Sequence, residues 1–141
     1  MSKSLNSLQP WGAFFLRLVL GCAMIYHGYG KVIPAGGFNG HNTFSALEHH
    51  SHLVTSLGFP HWMGYVSALT EFLGGILILI GLLTRFAAFM VAGNLFFVII
   101  LVDRHRGYSG SELPLALLAI AIMLLFYGAG VLALDRKIGF S

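Results

Sequence analysis

Four stretches of this chain stay apolar for long enough to cross a lipid bilayer, and no other feature constrains its fold as tightly. WGAFFLRLVLGCAMIYHGYGKVI, from Trp11, is the first; MGYVSALTEFLGGILILIGLL, FAAFMVAGNLFFVIILV and a run through LALLAIAIMLLFYGAGV follow. A crossing helix needs roughly 20 apolar residues, so spans are expected at about 12–32, 63–83, 86–102 and 113–131. A chain of 141 residues then holds one membrane domain, 1–141, and no separate catalytic domain. Only 9% of residues are charged, against about a quarter in soluble domains. With no period-2 strand pattern and every backbone polar group needing an internal partner in lipid, the expected fold is all-α: a four-transmembrane-helix bundle rather than a barrel.

The polar residues narrow the function classes. One cysteine, Cys22, allows neither an internal disulfide nor a C-x-x-C couple, which excludes dithiol exchange within the chain. The eight Lys and Arg are scattered singly or in twos, so the net charge of +3 reads as membrane topology, and no nucleic-acid partner is expected. No serine has an ordered base, and no glycine-rich phosphate loop is present, so soluble-cofactor chemistry is not expected. A cleaved signal peptide competes for the first run, with VLGC at Val19–Cys22 loosely imitating a lipoprotein cleavage box; Arg17 inside the run argues against it.

An even number of spans places both termini on one side. That side holds Lys3, Arg85, Arg136 and Lys137, and the other holds Lys31, Arg104 and Arg106. The stretch from Pro34 to Trp62 lacks Lys and Arg altogether, which favours cytoplasmic termini, with Arg104, Arg106 and the histidine-rich loop as an external rim. Trp11 and Trp62 then mark opposite interfaces.

That loop carries five of the seven histidines. Asn42 or Thr43 can cap a short interfacial helix with Phe44, Leu47, Val54 and Leu57 on one arc and Glu48, His49 and His52 on the other, ended by Gly58 and Pro60. Glu48, His49 and His52, with His41 closing the set, offer a weak divalent-metal alternative. A solvated helix with clustered histidines is the plainer reading, and no metal is expected. His50, on the apolar arc, is set aside as a ligand.

Charges inside spans cost about 2.5–3.5 kcal/mol at the bilayer centre and survive only with partners. Arg17, His27 and Lys31 share one face of the first helix with Gly21 and Gly28, and Glu71 shares its face with Gly74 and Gly75, so these faces are expected to meet. At about 1.5 Å of rise per residue, His27 is level with Glu71, Lys31 with Glu112, and Arg17 with Asn94 and Tyr127. Boundary errors leave Lys31 with Glu71 open as well, so Glu71 is expected to accept a bond from His27 or Lys31. Three uses remain open for Arg17, His27, Lys31, Glu71, Asn94, Glu112 and Tyr127: ion pairs that fix helix register, a site for a small polar or quinone headgroup, or a proton or ion pathway.

RLVLGCAMIYHGYGK, GFP, ALTEFLGGILILIGLLTRFAAFMVAGNLFFVI and SELPLALLAIAIMLLFYGAGVLALDRK, in that order, resemble the DoxX family of four-span bacterial inner-membrane proteins, from about Arg17 to Arg136. By motif, His27, Gly28, Lys31, Glu71, Gly74, Gly75, Arg85, Glu112, Gly130 and Asp135 take family positions; ALD replaces the frequent SLD. The resemblance implies similarity to part of a thiosulfate:quinone oxidoreductase and to membrane platforms for thiol and oxidative-stress partners. The expected function is therefore a small inner-membrane subunit or scaffold of a quinone- or thiol/sulfur-linked redox complex. A stand-alone quinone- or thiosulfate-linked oxidoreductase and a small-solute transporter are the alternatives. Quinone is the one cofactor suggested; the expected partners are the bilayer and a membrane or peripheral redox protein, and a homo-oligomer is compatible.

Overall fold

The computed structural model describes residues 2–37, 44–101 and 107–139. Within them run α1 (Ser2–Val32), α2 (Ser45–Ser56), α3 (His61–Ile80), α4 (Thr84–Leu101), α5 (Tyr108–Tyr127) and α6 (Leu134–Ile138), with no strand among the described residues. Four of these, α1, α3, α4 and α5, are long and apolar enough to span a membrane, and α2 is the short helix between the first two spans. The protein is thus an all-α, multi-pass membrane protein. Asn42, Thr43, His41, Arg104 and Arg106, on which the cap, the closed metal set and the external rim depended, lie outside the described residues.

Several boundaries differ from expectation for identifiable reasons. α1 starts ten residues early and carries Pro10 inside it. The turn between α3 and α4 falls at Gly81–Leu83, before the 84–85 gap left by the expected spans: Gly81 takes a left-handed φ of 72° and ends α3, and Thr84 begins α4. α5 starts at Tyr108 and stops at Tyr127, four residues before the apolar run ends, because Gly128 and Gly130 turn the chain with φ of 92° and 71°. Hydropathy alone carries a span on to Val131; the glycines end it sooner.

α1 and α3 cross most closely, and small residues make this possible. A Cβ on Gly28 would fall 2.5 Å from the Phe72 nitrogen, and one on Gly75 would lie 2.8 Å from that of Ile25. Beside this crossing, Leu20, Met24, Ile78, Val91, Leu117, Ala121 and Leu124 fill the core. α2 packs on α3 through Leu47 and Ser51, and Ser51 sits against Gly64. The expected apolar arc is therefore corrected: Phe44 and Leu57 lie just outside the helix and are exposed, and the buried stripe centres on Leu47 and its i+4 neighbour.

Candidate functional site

Three polar centres stand along the bundle, each built from residues far apart in the chain. The first surrounds Arg17, which is 1% exposed although it carries a guanidinium. Its donors go to the carbonyls of Ile78 (2.9 Å), Leu79 (3.0 Å), Ala129 (2.9 Å), Val131 (3.0 Å) and Leu132 (3.3 Å). The last carbonyls of a helix have no intrahelical partner, so the end of α3 and the loop after α5 supply acceptors that a five-donor fork can saturate. The expected neighbours, Asn94 and Tyr127, are not among them. Next to this centre the Asp135 carboxylate accepts from the backbone N–H groups of Leu83 (2.6 Å) and Thr84 (2.8 Å), and the Asp135 N–H donates to the Gly81 carbonyl (2.8 Å). Asp135 caps the entry to α4 and ties α6 to the α3–α4 turn. The sequence reading named it only as a family position.

The second centre is Glu71, 3% exposed on α3. One carboxylate oxygen accepts from Lys31 Nζ at 2.5 Å and the other from Asn94 Nδ2 at 2.9 Å, so α1, α3 and α4 are joined at one point. Of the two donors expected for Glu71, Lys31 is the one in place. His27, by contrast, is exposed and lies edge-on to Tyr26. The lysine stem reaches across several ångströms of depth that a rise-per-residue argument assigns to the backbone alone. Glu112 is exposed on α5, away from its expected level partner, and Tyr127 is exposed at the end of that helix.

His50 faces this second centre from α2. Its Nε2 lies 3.4 Å from the Ser67 hydroxyl. Burial first, then the positive charge of Lys31, push its imidazole below the ordinary histidine range, and Glu71 pulls the other way. This is the residue the sequence reading set aside. It is half-buried one turn from Leu47, on the side of α2 turned towards the Lys31–Glu71 pair.

The third centre corrects the metal alternative. Glu48 bonds the Tyr65 hydroxyl and His61 Nε2, the latter at 3.0 Å, with His52 Nε2 at 3.9 Å. Its partners are thus mainly on α3, and His49 points to solvent. No group of three His, Cys, Asp or Glu is arranged to hold a metal ion among the described residues. The Tyr65 hydroxyl, more than the histidines, holds the Glu48 carboxyl below the usual carboxylate range.

Chemically, the second centre keeps a carboxylate and an ammonium together within the bundle. Both Glu71 oxygens already have donors, whereas Lys31 remains part-exposed with donors to spare. A quinone or other polar headgroup would therefore find its hydrogen-bond donor at Lys31. On the outer face of α1, Cys22, Ile25, Tyr26, Tyr29 and Gly30 line an open apolar groove suited to a hydrocarbon chain.

The DoxX family model matches residues 12–104. A Bacillus subtilis (strain 168) protein named "Putative oxidoreductase CatD" is 32% identical over 132 residues, covering 93% of this chain and 90% of that protein. An uncharacterized protein of Haemophilus influenzae is 31% identical over 154 residues, covering 96% of each. No solved structure matches the chain.

Proposed function

The chain belongs to the DoxX family, and from that premise we propose that it is a small inner-membrane subunit or scaffold of a quinone- or thiol/sulfur-linked redox complex, both termini facing the cytoplasm. The observation that carries this reading is how the buried charges are spent: Arg17 on backbone carbonyls, Glu71 on Lys31 and Asn94. Charges used in this way lock helices into one register and form a rigid platform. A single cysteine cannot cycle a dithiol, so thiol-linked electrons would have to pass through a partner. The name of the Bacillus subtilis relative points in the same redox direction.

One observation favours a second reading, a stand-alone quinone-linked oxidoreductase. Lys31 is part-exposed beside Glu71, and His50 faces the pair. Purification from native membranes in mild detergent separates the two. A stoichiometric protein partner is the expected result. Bound quinone without a partner supports the second reading, and a solitary chain free of both overturns the pair and favours solute transport.

A further inference from the structure

At the membrane end that holds Arg17 and α6, a recess of about 200 Å³ opens between the start of α4 and the end of α5. Arg85, Arg136 and Tyr127 line it together with Pro10 and the Gly128–Gly130 loop. The Arg85 guanidinium lies against Gly128, so close that a Cβ there would meet its Nε at 3.4 Å. Neither arginine has an ion pair or hydrogen bond among the described residues. The acid nearest in sequence, Asp135, is already engaged with Leu83 and Thr84, and the loop's carbonyls at Ala129, Val131 and Leu132 are turned to Arg17. The recess thus gathers two uncompensated guanidiniums, whose planar forks match phosphate oxygens bidentately.

The surface leading away from the recess identifies the phosphate carrier. From Arg85, positions i+4, i+8 and i+11 on the same face of α4 are Phe89, Gly93 and Phe96, all exposed. Eleven residues rise about 16 Å, which is half of a hydrocarbon core of about 30 Å. One leaflet's acyl chain fits that track, whereas a free phosphate makes no use of it. Exposed Leu134 and Ile138 on α6, beside Arg136 and Lys137, place the recess at headgroup depth.

We propose that Arg85, Arg136 and Tyr127 bind the phosphate of an anionic phospholipid whose acyl chain lies along Phe89, Gly93 and Phe96. The site is independent of the redox reading. The test uses the full chain, delipidated in neutral detergent and offered phosphatidylglycerol or phosphatidylcholine, with retained lipid read by native mass spectrometry. Preferential retention of phosphatidylglycerol is expected, falling about tenfold in the Arg85→Gln, Arg136→Gln double variant and unchanged in Lys137→Gln. Equal retention of the two lipids, or an unchanged preference in the double variant, overturns the proposal. Displacement of the lipid by millimolar inorganic phosphate also overturns it, because it assigns the arginines to a soluble anion. Photo-cross-linking of the unmodified protein with a diazirine-bearing phosphatidylglycerol needs no variant to fold. Label between Arg85 and Phe96 is expected, and label spread evenly over the four spans refutes the site.

Discussion

Arg17 and Glu71 are both buried charges satisfied by different means, and the difference sets what each substitution does. Arg17 hydrogen-bonds no carboxylate: the free carbonyls at the end of α3 and in the loop after α5 take its donors, with the Asp135 charge nearby. Glu71 depends on two side chains from other helices. Glu71→Leu leaves Lys31 and Asn94 without their acceptor and is expected to cost about 3–5 kcal/mol. Glu71→Gln keeps an acceptor for Lys31, so its cost is expected to be nearer 1–2 kcal/mol. Thermal unfolding of the two variants in detergent checks the order. Equal losses would show that the charge, not the hydrogen bonding, is what the site requires. At this scale the sequence was legible for the burial of Arg17 and Glu71 but not for His27 and Glu112, which are exposed, nor for partners: Lys31 outreaches His27, and the acceptors of Arg17 are main-chain atoms with no residue signature.

At the scale of elements, the α1–α3 crossing and the docking of α2 are the two contacts most exposed to test. Gly28 allows Phe72 an approach that leaves no room for a side chain. Gly28→Val is expected to force the helices apart and cost about 1–3 kcal/mol or more, whereas Gly30→Ala, with open space around its Cβ position, is expected to be neutral in the same melt. α2 is held by groups that respond to acid in one direction. His50 has its pKa lowered in the folded state, facing Lys31, Glu71 and its neighbour His49. Docking of α2 is therefore complete above the unfolded histidine value of about 6.5 and weakens as pH falls below it. Glu48, also lowered and paired with Tyr65, His61 and His52, adds a second loss below about 4.3. Hydrogen exchange of residues 45–56 should accelerate in those two steps while α3 and α4 stay protected; acceleration on raising the pH would contradict the sign. The helix itself was legible from sequence, but its buried stripe was not, because Ser51 against Gly64 is a steric fit between two elements and not a hydrophobic pattern.

For the whole molecule, the proposed orientation has a direct measurement. Ser51 lies on the expected interfacial helix but is fully buried against α3, so a cysteine there would report on packing instead of sidedness. Ser56, exposed at the end of α2, is the better probe in a Cys22→Ala background. Ser56→Cys is expected to react with an impermeant maleimide on intact spheroplasts, and labelling only in inverted vesicles would reverse the topology.

The sequence by itself determined the number of spans, the all-helical class, the intervening short helix and the burial of Arg17 and Glu71. The spans and the buried charges follow from the transfer cost of each segment and side chain, a one-dimensional quantity that does not depend on what the segment touches, and the short helix ends at the local breakers Gly58 and Pro60. The tertiary structure alone decided that Arg17 staples a helix end, that Lys31 rather than His27 meets Glu71, that His50 faces their pair and that Arg85 and Arg136 converge. Each of those depends on helix crossing, side-chain reach and the two glycine turns after α5, and a few ångströms in any of them exchanges one partner for another.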